Sequence, residues 1–243
     1  MIFIGEIIGN VKAIADKSVR HSIMSAANEL SFKLLLAFFP FIMLCFSVLG
    51  FLHIESETFL AYIGDAVPEP LLDIARVFAF EVIDSRSIGL LSFSILIALF
   101  SASSGFHAVI RGVNKSYDIS ETRHLVTVRL LSVLLVFVFI LSIASAIIFV
   151  FSKFISLLML IFTTAVIYKV ASCKKILFKN VLPGAILAVT CWAIATKLFS
   201  FYILNFANFS IYGSLGGIII LMIWINIISA AFLIGSEVNS MVE

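Results

Sequence analysis

Charge is what this 243-residue chain has least of: Asp, Glu, Lys and Arg make up 12% of it, against roughly a quarter in a soluble domain. A surface wetted on all sides cannot be assembled from so few charged groups, which excludes an ordinary soluble class. Cysteine is scarce as well. Cys45 and Cys191 fall inside apolar stretches and Cys173 at the end of one. The total is odd and no pair has metal-ligand spacing, so neither structural disulfides nor a zinc site is expected. The histidines, His21, His53, His107 and His124, are scattered without HExxH-like spacing, and GxSxG, a P-loop and a clustered acidic triad are all missing. These absences argue against a soluble-type hydrolase and leave no cofactor to expect. Net charge is only +2, with no run of five or more basic residues, so nucleic acid is not an expected partner. The N-terminus has Met1-Ile2-Phe3-Ile4 in place of a basic n-region, and no small-residue cleavage site follows an apolar core. No removable signal is expected, and the first span must direct insertion.

What the chain does have is apolar length. Hydrophobic residues make up 62% of it and the mean hydropathy is +1.20. Because lipid offers the backbone no hydrogen-bond partners, runs of about 20 apolar residues should be helices. Six are read, at 34–52, 88–106, 130–151, 155–172, 181–204 and 215–236. Strict alternation, as a transmembrane barrel requires, is absent from runs such as Leu130 to Phe151. The expected fold is all-α, a polytopic bundle of six spans in a single membrane domain covering 1–243.

Basic residues set the direction, since Lys- and Arg-rich connections stay cytoplasmic. Lys12, Lys17, Arg20 and Lys33 precede the first span; Arg111, Lys115, Arg123 and Arg129 occupy the second connection; Lys169, Lys174, Lys175 and Lys179 occupy the fourth. Only Arg76, Arg86 and Lys153 fall on the opposite side, with Lys197 inside the fifth span. Both termini are therefore expected in the cytoplasm. The first outer loop gathers acids from Glu55 to Asp84, in agreement.

Two further segments have helical periodicity without spanning length. In residues 1–28, Ile4, Ile7, Ile8, Val11 and Ile14 share one face while Glu6, Asn10, Lys17 and Arg20 share the other, which predicts an amphipathic helix lying on the inner leaflet. In the outer loop, Leu71, Ile74, Ala75, Phe78 and Val82 align after Pro68-Glu69-Pro70, which predicts a short extracytoplasmic helix, and Phe80 breaks the pattern. The Ser152-Lys153-Phe154 link makes the third and fourth spans an antiparallel hairpin.

Polar groups at membrane depth are the candidates for function or for helix association. Lys197 either snorkels to water or faces a cavity. Asn226 suits a helix–helix hydrogen bond or a substrate contact. Glu29 and Lys33 have the spacing and order of a helical ion pair, and Arg111, Arg123 and Arg129 suit anchoring to anionic headgroups. Glu237 ends the last span, where the helix dipole disfavours a negative charge and invites a basic partner, with Arg111, Arg123 or Arg129 as candidates.

Several segments in order resemble the YihY/virulence factor BrkB family of bacterial inner-membrane proteins. They are Leu36-Ala37-Phe38-Phe39-Pro40; Ile110-Arg111-Gly112-Val113-Asn114 with Tyr117, Glu121 and Arg123; Leu182-Pro183-Gly184-Ala185 with Trp192; Tyr212-Gly213-Ser214-Leu215 with Trp224; and Gly235-Ser236-Glu237-Val238-Asn239. Ser236 stands where the family has alanine. The resemblance implies six helices with both termini inside, and adds Asn114, Tyr212 and Asn239 to the candidate residues. A ribonuclease name circulates in the family; the missing metal-ligand cluster argues against that activity here. The expectation is a transporter or lipid-handling protein in which Lys197, Tyr212, Asn226 and Glu237 converge on a wet cavity, with membrane lipids and a small-molecule or lipid substrate as partners. The alternatives are a non-transporting scaffold or envelope-integrity factor and, third, a membrane-embedded enzyme. Single cysteines placed between residues 55 and 86 should react with an impermeant reagent from outside the cell; labelling from the cytosolic side alone would overturn the topology.

Overall fold

A helix whose side chains are apolar all round has satisfied its backbone internally and can bury every face in lipid or in other helices. The computed structural model describes residues 13–51, 55–63, 76–77, 79–85, 87–148, 153–206 and 213–242, and these are almost wholly helical, with no strand among them. The described part of helix α1 (Ala13–Arg20) leads into α2 (Ile23–Phe51). Helix α3 (Ser56–Ile63) and a π-helical turn (Ala79–Ile83) follow in the loop. Then come α4 (Ile88–Ser116), α5 (Leu125–Ile148), α6 (Lys153–Ala171), α7 (Phe178–Phe206) and α8 (Gly213–Val242).

Among the described residues four stretches are long and apolar enough to cross a membrane: Ile88–Ser116, Phe154–Ala171, Phe178–Tyr202 and Ile218–Val242. Taken as one bent span, α1 and the first part of α2 make a fifth. The described side chains of α5 add the shorter apolar stretch Leu125–Phe139. Phe93, Leu96, Phe100, Phe162, Leu198 and Phe201 all lie exposed on the outside of the bundle. An apolar exterior on this scale suits hydrocarbon and would drive association in water.

The helices overrun the predicted spans mainly at one end. Helix α2 starts at Ile23 rather than 34, α4 continues past 106 to Ser116, and α8 runs past 236 to Val242. Polar residues on these extensions find partners on neighbouring helices, so the helices continue where hydropathy stops. The N-terminal helix, in contrast, ends at Arg20 and not at 28. Ser22 takes a left-handed conformation (φ 50°), and the chain bends by 64° into α2. The predicted helical face from Leu71 to Val82 lies mostly outside the described residues. The part that is described, the π-helical turn, buries Ala79, Val82 and Ile83 against Phe46 and leaves Phe80 exposed.

Helices α2, α4, α5, α6, α7 and α8 close a ring in which each packs on the next and α8 returns to α2, with α4 also touching α6 and α8. The main core lies toward the end of the ring that carries the basic connections, around Leu30, Ile110, Val113, Val128, Tyr168 and Val181. There α7 and α8 cross at two glycines. A Cβ on Gly184 would collide with the Gly235 carbonyl, and one on Gly235 would come within 2.5 Å of both Gly184 O and the Tyr168 hydroxyl. Tyr168 itself donates to Phe232 O at 2.5 Å. Pro183 lies inside α7 and has no N–H to give the helix, and the neighbouring Gly184 N–H donates to Asn239 Oδ1 at 2.7 Å. Gly184→Ala should therefore lower stability by about 3 kcal/mol, the upper range for overpacking. Gly89→Ala, whose Cβ would find only Ser87 Oγ at 3.7 Å, should change the thermal midpoint in detergent very little; equal midpoints for the two variants would refute the close crossing.

Candidate functional site

Polar side chains from several elements meet at the basic end of the ring, around the ends of α4, α6 and α8. Helix α4 ends in a Schellman-type turn: Asp118 N–H donates to Lys115 O at 3.1 Å and Ile119 N–H to Asn114 O at 3.0 Å. The left-handed residue of this turn is Asp118 (φ 55°), where glycine is the usual choice. Its conformation costs about 1 kcal/mol or more and places a carboxylate against His21.

His21, in the turn after α1, lies between two carboxylates. Its Nδ1 is 2.6 Å from Glu237 Oε1 and its Nε2 is 2.8 Å from Asp118 Oδ1. Ionised carboxylates only accept hydrogen bonds, and a neutral imidazole carries a single N–H. Both contacts are satisfied together when the three groups share one proton beyond that complement. Lys17 Nζ donates to Ser240 Oγ at 2.6 Å and stands 3.7 Å from Glu237 Oε2, while Ser240 Oγ donates to Glu237 O at 2.7 Å. Side-chain exposure falls from 70% at Asp118 to 5% at His21 and 0% at Glu237. The ionisable chain thus runs from solvent into the core. Glu237 Oε2 has no hydrogen-bond partner among the described residues. The sequence suggested Arg111, Arg123 or Arg129 as the partner of Glu237, and the structure corrects this. Arg111 pairs with Glu29, Arg123 with Glu121, and Arg129 stacks over Phe100 at 4.7 Å. The chain's N-terminal segment folds back over α8 and supplies Lys17 and His21 instead.

A second network ties the α4–α5 connection to the end of α6. Glu121 accepts from Arg123 Nε and Nη2, both at 2.8 Å, in a two-pronged pair, and from Asn114 Nδ2 at 2.8 Å. The Cys173 thiol donates to the same carboxylate at 2.9 Å, and Cys173 N–H donates to Asn114 Oδ1 at 2.8 Å. The Arg123 guanidinium also reaches Ala171 O at 2.7 Å and Val170 O at 3.3 Å. It therefore caps the last turn of α6, where a cation complements the helix dipole. The hydrogen bonds from Arg123 hold the Glu121 carboxyl down to about 2, from an ordinary value of 4.5.

The remaining candidates lie apart. Glu29 accepts from Lys33 at 2.7 Å and from Arg111, forming a half-exposed group between α2 and α4. Asn226 Nδ2 donates to Asn28 Oδ1 at 2.7 Å and Ser31 Oγ at 3.1 Å, joining α8 to α2. Lys197 is exposed on the outer face of α7. Tyr212 lies outside the described residues. Lys197, Asn226 and Glu237 do not converge on one cavity: Lys197 points out of the bundle, and the other two are engaged in separate helix contacts. His21, Lys17 and Asp118 were not among the candidates. The signals present were Lys17 and His21 four residues apart and a carboxylate at the wrong end of a helix dipole, but nothing local joined them.

Apolar helices closing a ring, with ionisable groups collected at one end, define an all-helical membrane protein. The chain belongs to the virulence factor BrkB family, whose profile it matches over residues 14–243. It is 31% identical over 260 aligned positions to the ribonuclease-like protein YfkH of Bacillus subtilis, across 96% of this chain and 94% of that protein. A UPF0761 membrane protein of Tolumonas auensis is 39% identical over 72 residues, 29% of this chain and 24% of that one. No solved structure gives a significant match.

The lowered Glu121 carboxyl makes a signed prediction. Stability from this group is fully present above its ordinary value of 4.5 and is lost as pH falls through about 2. Glu121→Gln should cost about 1–2 kcal/mol at neutral pH, allowing for solvent screening of a partly exposed pair. The variant's thermal midpoint should also fall less between pH 4.5 and 2 than that of wild type, and a parallel fall in both would remove Glu121 from the account.

Proposed function

We propose that the protein crosses the bacterial cytoplasmic membrane six times with both termini inside, and that it moves or handles a small-molecule or lipid substrate. Helices α2, α4, α5, α6, α7 and α8 contain 29, 29, 24, 19, 29 and 30 residues. At 1.5 Å per residue even the shortest reaches about 28 Å, close to the hydrocarbon thickness. The basic connections all gather at one end of the ring, which supports a cytoplasmic assignment for that end.

The buried His21–Glu237 pair at the α1–α2 bend carries the functional reading. An ionisable cluster buried within a membrane bundle is costly to maintain, and such groups commonly mark substrate or ion pathways. Here the cluster fastens the end of helix α1, which turns into α2 at left-handed Ser22. A gate at the cytoplasmic mouth of the bundle accounts for both features. On this reading the partners are membrane lipids and the transported substrate, nucleic acid is not a ligand, no cofactor takes part, and no bond is made or broken.

A scaffold without transport is the second reading. It is favoured by the outward position of Lys197, the α2–α8 contact made by Asn226 and the close Gly184–Gly235 crossing. Reconstitution into liposomes, with fluorescent phospholipid scrambling and solute counterflow measured side by side, separates the two. Wild type should move lipid or solute. Glu237→Gln should slow that movement by about tenfold, equivalent to about 1.4 kcal/mol, and Lys197→Ala should leave it unchanged. Folded wild-type protein that moves neither class of cargo would leave the scaffold reading in place.

A further inference from the structure

Three ionisable groups, His21, Asp118 and Glu237, meet at the base of α1. His21 meets Glu237 Oε1 through Nδ1 and Asp118 Oδ1 through Nε2. These two contacts come from different elements, one from α8 and one from the turn that closes α4. Among the described residues the ring is therefore the one side chain that joins the end of α1 to both. With one proton too few, either a lone pair on the ring faces a carboxylate oxygen or the imidazole must turn away from one partner. Each alternative opens a contact between α1 and the bundle.

We infer that the α1–α2 segment is a proton-operated latch: a proton shared by His21, Asp118 and Glu237 keeps α1 docked on α8, and its release frees α1 to swing about Ser22. The titratable and charged groups facing the ring are Lys17 beside it, Asp118 from the α4 turn and Glu237 from α8. Lys17 opposes the extra proton by repulsion, while the two carboxylates attract it. Its Nζ stays 3.7 Å from Glu237 Oε2 and is drawn off toward Ser240 Oγ at 2.6 Å. The nearer carboxylate contacts dominate. Access is provided from outside: Asp118 is 70% exposed and His21 bridges it to fully buried Glu237, so a proton can enter along hydrogen bonds already in place. The sign follows from where the proton is bound. The docked state holds it, so docking is favoured at low pH and weakened as pH rises.

This inference rests on the gate proposed above, and the two can fail separately. Spin labels on exposed Val19 of α1 and exposed Val242 of α8, in full-length protein in lipid nanodiscs with Cys173→Ser and the span cysteines replaced by alanine, report the docking distance by pulsed electron resonance. One short distance is expected at acidic pH, with a longer population growing as pH is raised. His21→Gln keeps a side chain that can hydrogen-bond but cannot take up the proton, and should lose the pH response. Asp118→Asn, whose replacement residue also accepts the left-handed conformation, should shift the response to lower pH. A wild-type distance that does not change with pH, or a His21→Gln protein that responds as wild type does, would overturn the latch. A distance that titrates in protein that moves no cargo would sink the transport reading and leave the latch standing.

Discussion

A carboxylate on the last turns of a buried helix faces two penalties together. It is stripped of water, and it sits at the end of the helix where the backbone dipole is already negative. Glu237 accepts both, being fully buried in α8. The arrangement is tenable because the N-terminal segment brings Lys17 and His21 over it, and because Asp118 fixes the far side of the imidazole. The demand for compensation at this one position explains why the two ends of the chain are joined and why α1 bends sharply away from α2. It also explains why α4 closes on an aspartate, although glycine would fit the turn with less strain. Removing one partner from such a site generally costs about 3–5 kcal/mol, since a buried charge is left behind.

The same physical problem recurs at the end of α6 and is solved with different residues. Carbonyls of the last turn lack intrahelical donors, and Arg123 supplies them from the neighbouring connection. Glu121 orients the guanidinium, while Asn114 and Cys173 lock the connection against α4. At the same end of the bundle small residues add a second kind of closure. At the Gly184–Gly235 crossing two backbones approach so closely that a methyl group has no room. The molecule therefore has a tightly packed, polar-stitched end and an apolar exterior, and both the His21–Glu237 and the Glu121–Arg123 networks lie at that end.

Much of the architecture was legible in the sequence because hydrocarbon leaves the backbone few choices. The long helices begin or end near the predicted boundaries where the apolar run itself ends, as at Phe51, Ile88 and Ala171. Boundaries were missed where polar residues continued the helix, as at Glu29 and Asn239, since hydropathy registers their cost and not their partners. The ion pair between Glu29 and Lys33 was readable from a spacing of four; the partner of Glu237 was not. An arginine was the natural choice from charge alone, yet each arginine considered was engaged elsewhere, by Glu29, by Glu121 or by the face of Phe100.

The sequence by itself determined the solvent and the secondary structure: so few charges and such long apolar runs allow only helices in lipid, and the family's segments follow in order along the chain. The pairing across long separations was decided by the tertiary structure. His21 lies 216 residues from Glu237 and 97 from Asp118, and no local propensity connects them. What brings them together is the closure of the helix ring, which returns α8 to the start of α2, where Ile23, Ala27 and Leu233 pack together. Only when that apolar contact has formed do an imidazole and two carboxylates lie within hydrogen-bond reach.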